Sequence, residues 1–246
     1  LFILLAALTL SATVRSAPGT LIPRPQEATR LDGQFVFTTG IPVVYASGLE
    51  PLAEYIADYI PLQRLDDRTW TAGAALRLSL DGTMDDESYR LTVTPQGVQV
   101  VGADYGGVFN GLQTLLQLLP PEVYTGQATL PLAVDACRIE DAPRFHYRGM
   151  MLDVVRTWMD ADRVKRHIDL LSHLKINKLH LLLSNDEGWR LEIKSHPELT
   201  EIGAWRGGDS PVMPVYGKWD EKYGGFYTQD EMRDLIRYAA VRNVEI

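Results

Sequence analysis

Two nearly continuous apolar runs, separated by a helical segment, constrain this chain more than any other feature of its sequence. The first, Tyr147 to Val155, reads YRGMMLDVV, and the second, Ile176 to Leu183, reads INKLHLLL. Between them, Asp160 can cap a helix that we expect to continue to about Leu174. Strands joined through a helix run parallel, and strands this apolar are covered on both faces. The segment therefore predicts a βαβ unit of an α/β protein.

A second helix follows and extends the same pattern. Thr228 and Glu231 have the spacing of a capping box, the helix should run to about Arg242, and a third strand would begin at Val244. No glycine-rich phosphate loop follows either apolar strand, which favours a β/α barrel over a nucleotide-binding sheet. A complete barrel needs roughly 250 residues. We therefore expect residues 140–246 to be the first units, three at most, of a truncated (β/α)8 TIM barrel.

The preceding part of the chain predicts a small α+β domain over residues 17–139. A helical pattern from Leu49 to Ile60 is flanked by short β-type runs, and a hairpin is predicted from Tyr89–Thr94 and Val98–Val101 around the turn Pro95-Gln96-Gly97. Asp104 can cap a helix that stops at Pro120. The stretch of mixed polarity from about Glu122 to Pro143 reads as a linker to the barrel.

The first residues read as an export signal. Leu1 to Leu10 is an apolar run, too short to span a bilayer, and small residues follow it. We expect a signal peptide over residues 1–16 and an exported protein, periplasmic or secreted, with no membrane association after cleavage; a buried N-terminal helix is the alternative. Neither end of the sequence looks like a natural terminus, so the chain reads as a fragment of a longer protein.

Composition excludes several classes of function. The chain has 24 Lys and Arg against 32 Asp and Glu, a net charge of −8 without a basic block, which argues against nucleic acid as a partner. Cys137 is the only cysteine, so no intrachain disulfide can form, and no Cys/His cluster has metal-ligand spacing. We expect no metal and no organic cofactor.

Candidate functional residues follow the two apolar strands. Asp153 and Arg156 lie near the end of the first, and the string SNDEGWR, residues 184–190, follows the second. In a β/α barrel these ends carry function, and acids, Arg and Trp together are typical of a sugar pocket. Two alternatives stay open: Asp153 and Arg156 as a structural ion pair, and Trp189 with Arg190 as loop packing. His180 reads as a core histidine.

A long loop, residues 207–227, is rich in Gly, Pro and aromatic residues. A solvated connection is the default interpretation. Its length is unusual for a plain connection, however, and long loops at a barrel mouth are often binding loops.

Several strings resemble glycoside hydrolase family 20, the β-N-acetylhexosaminidases. In the predicted barrel they are DAPRFHYRGMMLDVVR (141–156), LKINKLH (174–180), DEGWR (186–190) and PELTEIGAWR (197–206). IPRP (22–25) and GLQTLLQ (111–117) resemble the small domain that precedes that barrel. The resemblance implies an exo-β-N-acetylhexosaminidase that removes terminal N-acetylglucosamine or N-acetylgalactosamine from glycans or chitin oligosaccharides, with retention at the anomeric carbon.

The resemblance also implies roles for two residues. Arg148 matches the arginine that binds the outer hydroxyls of the terminal sugar, and Asp186 matches an acid that supports the catalytic centre. We expect the two to converge on the barrel mouth. Asp153 and Arg156 match positions that we interpret as architectural.

The chemistry of the family lies elsewhere in its sequence. The sugar's own acetamido oxygen attacks the anomeric carbon, while an Asp orients that amide and a neighbouring Glu protonates the leaving oxygen. Those acids belong to a His-x-Gly-Gly-Asp-Glu string that this chain lacks, and Glu187 does not match it. We therefore name no catalytic residue and expect the 246 residues alone to be inactive.

One motif departs from the family pattern. HLLLSND, residues 180–186, has Leu182 and Asn185 where the family usually has His and Asp. A non-catalytic amino-sugar-binding relative of the same fold is the alternative function. The preferred sugar and the oligomeric state do not follow from the sequence.

Overall fold

The computed structural model describes residues 20–211, 214 and 219–246. The predicted signal peptide lies outside these residues. The chain forms two compact units: the first contains the residues up to Ser79, Arg90–Val101 and Thr114–Asp141, and the second contains Leu80–Tyr89, Gly102–Gln113 and Ala142–Ile246. Two short segments thus group with the later part of the chain, and a domain boundary at residues 139 and 140 stays a prediction.

The first unit is built on a seven-stranded sheet with the order β1-β7-β5-β6-β4-β2-β3. The elements of this part of the chain are β1 (Glu27–Phe37), β2 (Pro42–Tyr45), α1 (Glu50–Ala57), β3 (Gln63–Asp66), β4 (Leu76–Leu80), β5 (Tyr89–Thr94), β6 (Gly97–Gly102), α2 (Tyr105–Leu118), a 3-10 helix (Pro121–Thr125) and β7 (Leu132–Asp141).

The predicted hairpin and both predicted helices of this part are confirmed. Strands β5 and β6 are neighbours in the sheet. Every second residue of β5 is buried, as expected for a strand with one face on a core. The first helix is shorter than predicted and ends at Ala57.

The predicted linker is wrong, because half of it is strand β7. This strand pairs antiparallel with β1 along its length, with an irregularity between Arg30 and Gln34. Leu132, Val134 and Ala136 are buried and alternate with the half-buried Ala133 and Asp135. The mixed polarity is therefore the period-two pattern of a half-buried strand, in which Asp135 accepts a hydrogen bond from Arg30 at 2.8 Å.

The second unit contains the predicted βαβ unit. Its elements in the later part of the chain are β8 (Gly149–Asp153), α3 (Ala161–His173), β9 (Lys178–Leu182), β10 (Ser184–Asn185), β11 (Gly188–Trp189), α4 (Glu198–Glu201), β12 (Trp205–Arg206), β13 (Tyr223–Gly224) and α5 (Gln229–Val241). Strands β8 and β9 are parallel over five residue pairs, and Glu245 forms a parallel bridge with Lys178. Both strands are shorter than their apolar runs. At the position of the predicted third strand, the described residues form this single bridge and no strand.

The two long helices of this unit begin where the sequence predicts. The Asp160 side chain accepts a hydrogen bond from the backbone N–H of Arg163 at the start of α3. Thr228 and Glu231 form the complete capping box of α5.

Alternation along β9 decides which side chains reach the core. Leu179 and Leu181 belong to a buried cluster with residues of both long helices, among them Val164, Ile168 and Leu235. His180 lies between the two leucines and is exposed on the opposite face. His180 therefore does not occupy the predicted core position within the described residues, in which the helices cover one face of this pair of strands. None of the described helices is long and apolar enough to cross a membrane.

Candidate functional site

The turn that follows β8 is organised by Asp153. One of its carboxylate oxygens accepts hydrogen bonds from the backbone N–H groups of Val155, at 2.8 Å, and Arg156, at 3.0 Å. The other accepts from Nη1 of Arg156 at 2.7 Å. This pairing confirms the ion-pair interpretation, and it also fixes the direction in which the guanidinium points.

The environment of Asp153 keeps its carboxylate ionised. Partial burial acts to raise its pKa, but the two backbone N–H groups and the Arg156 side chain together hold the pKa of Asp153 below its usual value. An ionised Asp153 keeps Arg156 in place at the C-terminal end of the strand.

Asp186 lies close to this pair. It sits at the turn of the hairpin formed by β10 and β11, directly after β9. Its carboxylate oxygen is 3.7 Å from Nη2 of Arg156, and 68% of its side chain is exposed. Asn185 holds the turn by accepting a hydrogen bond from the backbone N–H of Glu187 at 2.8 Å. Arg156 thus spans two acids that come from neighbouring strands.

A pocket of about 410 Å³ opens beside Arg156. It is lined by Arg156, Thr157, Trp158, Trp205, Lys222, Tyr223 and Gly224. The first three residues follow β8. Trp205, Tyr223 and Gly224 belong to the short antiparallel pair of β12 and β13, and Lys222 immediately precedes β13. In this pair Trp205 faces Gly224, and Arg206 faces Tyr223.

Glycines let these segments approach closely. A Cβ atom on Gly225 would lie 2.4 Å from Cε2 of Trp158, and one on Gly224 would lie 2.0 Å from the carbonyl oxygen of Ala204. Trp158 also packs on Tyr227, with ring centroids 4.8 Å apart, and the Tyr227 hydroxyl donates to the carbonyl of Met159 at 2.5 Å. The indole is therefore held in a fixed position at the pocket wall.

Arg148 does not lie in this site, and the expected convergence with Asp186 is wrong. Arg148 precedes β8, whereas Asp186 follows β9, so the two residues lie beyond opposite ends of a parallel pair. Five strand residues at about 3.3 Å each separate the two levels. The Arg148 guanidinium instead donates to both carboxylate oxygens of Glu87 and to the carbonyl oxygen of Lys175.

Arg156 is the pocket residue to which the sequence reasoning gave only an architectural role. The signal was its position after the end of an apolar strand, where barrel function is found. Trp189 does not line the pocket; its indole N–H donates to the carbonyl of Leu191 at 2.5 Å, which fits loop packing. The long loop 207–227 contributes Lys222, Tyr223 and Gly224, although part of it lies outside the described residues.

The arrangement has groups that suit the binding of a polyol. In the part of the chain that the structure describes, no three His, Cys, Asp or Glu side chains are grouped to hold a metal ion. A guanidinium beside carboxylates can pair with neighbouring hydroxyls, and aromatic faces can cover the apolar side of a sugar ring.

Family models match nearly the whole described chain. Residues 19–142 match the model described as glycosyl hydrolase family 20, domain 2, and residues 145–246 match glycosyl hydrolase family 20, catalytic domain. A beta-hexosaminidase of Vibrio furnissii is 40% identical over 92% of this chain, and N,N'-diacetylchitobiase of Vibrio harveyi is 35% identical over 65%. The chain spans 36% of the first relative and 18% of the second.

Solved structures give the same result. A GH20 exo β-N-acetylglucosaminidase from Vibrio harveyi, in complex with N-acetylglucosamine, superposes with a TM-score of 0.83 at 34% identity over 94% of this chain and 36% of that one. An N-acetyl-β-hexosaminidase from Streptomyces plicatus gives 0.80 at 35% identity, over 94% of this chain and 45% of that one. Sequence and structure agree that the chain belongs to glycosyl hydrolase family 20.

Proposed function

We propose that the chain is part of an exo-β-N-acetylhexosaminidase that removes terminal β-linked N-acetylglucosamine or N-acetylgalactosamine from glycans or chitin oligosaccharides. The observation that carries the proposal is the placement of Arg156. This guanidinium lies at the C-terminal end of β8, between Asp153 and Asp186, and opens onto a pocket with two tryptophans.

Each part of the pocket has a chemical use in binding a terminal sugar. The guanidinium of Arg156, and beside the pocket the exposed carboxylate of Asp186, suit adjacent hydroxyls, since one donates hydrogen bonds and the other accepts them. The indoles of Trp158 and Trp205 offer apolar faces for the C–H groups of the ring. The names of the relatives, which include beta-hexosaminidase and diacetylchitobiase, support an amino sugar as that ligand.

The proposed reaction is substrate-assisted hydrolysis with retention. The acetamido oxygen of the sugar would attack the anomeric carbon, and a Glu would protonate the leaving oxygen. No His-x-Gly-Gly-Asp-Glu string occurs in residues 1–246. We therefore place the general acid and the amide-orienting Asp outside these residues, on later strands of a (β/α)8 barrel that begins with β8 and β9, in a protein that is exported.

Hydrolysis assays on the full-length protein test this proposal. It should release the aryl group from aryl N-acetyl-β-glucosaminide and galactosaminide, with the β-anomer as first product by NMR. The matched aryl β-glucoside, which lacks the acetamido group, should be a far poorer substrate. Equal rates on the N-acetyl-β-glucosaminide and on the β-glucoside would contradict substrate assistance.

A fragment of residues 17–246 is the second arm of this test. It should release no product, because the proposed acid is absent. Turnover by the fragment that is abolished by Glu187→Gln would overturn the placement of the chemistry.

A non-catalytic amino-sugar-binding protein is the alternative. It is favoured by Asn185, whose neutral side chain holds the hairpin turn where the family usually has a charged Asp. Binding of N-acetylglucosamine by calorimetry without turnover of any aryl glycoside would support this alternative.

A further inference from the structure

Arg190 is the largest of the fully buried side chains, with no exposed surface. Its guanidinium donates through Nη1 to the carbonyl oxygens of Ala204 and Gly225, the latter at 3.1 Å, and through Nη2 to the carbonyl of Val155 at 2.6 Å. All three acceptors are main-chain atoms, and each comes from a different segment of the chain. One side chain therefore joins three loops.

Those three loops are the ones that line the pocket. Val155 immediately precedes Arg156, Ala204 immediately precedes Trp205, and Gly225 immediately follows Gly224. Arg190 is not itself among the lining residues. Its guanidinium thus binds the backbone of the pocket wall, at positions directly next to residues that line the cavity.

Packing alone does not explain an arginine at this position. Burying a guanidinium is unfavourable, and an apolar side chain of similar volume often stabilises a protein as well or better. An apolar side chain, however, would leave three carbonyl groups of irregular backbone without this donor. The carbon atom of the guanidinium also lies 5.6 Å from the ring centroid of Trp158, so the same group contacts a pocket aromatic.

Arg206 provides a comparison within the same site. It is also buried, at 3% exposure, and a Cβ atom on Gly188 would lie 3.3 Å from Nη2 of Arg206 and 3.4 Å from Cζ of Arg190. Its side chain, however, donates only to the carbonyl oxygens of Gly203, at 3.2 Å, and Trp205, at 2.7 Å, among the described acceptors. Arg206 therefore forms hydrogen bonds within its own segment, whereas Arg190 forms hydrogen bonds to three segments.

We infer that Arg190 is a positioning residue of the sugar site, which sets the spacing between Arg156, Trp205 and Gly224. The inference rests on the proposed function for its effect on the substrate. With the loops fixed before the sugar arrives, binding does not have to order them, so affinity and the geometry of attack are preserved. Loss of Arg190 should let the loops move independently.

The test compares Arg190→Met and Arg190→Lys with Arg206→Met in the full-length protein. Both methionine changes remove a buried guanidinium, but only Arg190→Met removes hydrogen bonds that connect different loops. Lysine keeps the charge at position 190 and loses the planar set of donors. We expect Arg190→Met to raise KM for an aryl N-acetylglucosaminide by at least about tenfold, with a smaller change in kcat, and Arg206→Met to raise KM much less.

Hydrogen exchange supplies a readout that does not depend on substrate. In the Arg190 variants, amide exchange should rise together in segments 154–158, 204–206 and 223–226, well below the melting temperature. If Arg190→Met is too unstable to purify, Arg190→Lys carries the same exchange measurement. Unchanged KM and unchanged exchange, or a rise confined to one segment, would overturn the inference. If the unmutated protein neither binds nor hydrolyses an N-acetylglucosaminide, the proposed function fails, and exchange alone then decides the role of Arg190.

Discussion

Arg148 and Glu87 form a two-pronged ion pair: Nη1 and Nη2 of the arginine donate to the two carboxylate oxygens at 2.9 and 2.8 Å. Both side chains are largely buried, with 17% and 16% of their surfaces exposed. Glu87 also accepts a hydrogen bond from Asn243 at 2.9 Å, so the pair links three parts of the second unit. It lies at the N-terminal end of β8, and in the proposed barrel residues at that end serve stability rather than chemistry.

Replacing Arg148 should therefore destabilise the protein without weakening its substrate binding. Arg148→Met leaves the largely buried carboxylate of Glu87 without its counter-charge, a loss on the order of 3 kcal/mol. We expect a clear fall in the melting temperature of the full-length protein by calorimetry, and an unchanged KM at a temperature where it remains folded. Arg138→Met is the control, since Arg138 pairs with Glu140 on the surface and more than half of its side chain is exposed. A raised KM for Arg148→Met would restore the substrate-binding role to this residue.

The same pair makes stability depend on pH. Burial acts to raise the pKa of Glu87, but Arg148, Asn243 and Asn177 outweigh it and hold the pKa below its ordinary value. A lowered pKa in the folded state means that the stabilisation is complete above the unfolded value of about 4.3 and is lost as the pH falls through the folded value.

Glu87→Gln tests this dependence. The difference in melting temperature between the unmutated protein and this variant should be largest near neutral pH and should shrink as the pH falls below the ordinary glutamate value of about 4.3. A difference that stays constant over this range would show that the charge of Glu87 is not what stabilises the fold.

Arg156 should be required for sugar binding. Arg156→Met removes the guanidinium from the pocket and leaves Asp153 and Asp186 without this partner, so KM should rise about tenfold or more. The matched control is Arg233→Met, because Arg233 forms an ion pair with Asp230 of the same i,i+3 spacing and the same 2.7 Å length on the surface of α5. Steady-state kinetics of both variants decide the point, and equal KM values would contradict the proposed pocket.

Close packing of the pocket wall gives a further prediction. Gly224→Ala would place a Cβ atom 2.0 Å from the carbonyl oxygen of Ala204, so β12 and β13 would have to separate. Gly73→Ala is the control, since Gly73 also has a positive φ, +122° against +136°, but its Cβ would meet nothing within 4 Å. We expect a larger loss of thermal stability and of sugar affinity for Gly224→Ala. Equal effects would mean that backbone strain, and not the clash, is decisive.

Local patterns in the sequence predicted the elements whose formation depends on nearby residues. The caps at Asp160 and at Thr228 with Glu231 fixed the starts of α3 and α5, because their side chains satisfy backbone groups three residues away. The turn residues that follow Thr94 predicted the hairpin of β5 and β6, because a tight turn also depends only on neighbouring residues. Strand β7 was missed because it is paired with β1, about a hundred positions earlier in the chain, as the hydrogen bond from Arg30 to Asp135 shows.

The candidate site was predictable only in part. Asp186 and the end of β8 could be found from the rule that function follows the strands. The roles of the two arginines could not, since Arg148 and Arg156 are both polar residues at the edges of one apolar strand, and nothing in the local sequence says which faces a pocket.

The sequence by itself determined the family, the βαβ pattern and the helix starts, because these depend on motif order, on periodicity and on contacts between neighbouring residues. Only the tertiary structure decided that Arg148 pairs with Glu87, that Asp153 and Asp186 flank Arg156, and that Arg190 donates hydrogen bonds to three loops. A guanidinium takes its role from the groups that surround it, and those groups come from segments that only folding brings together.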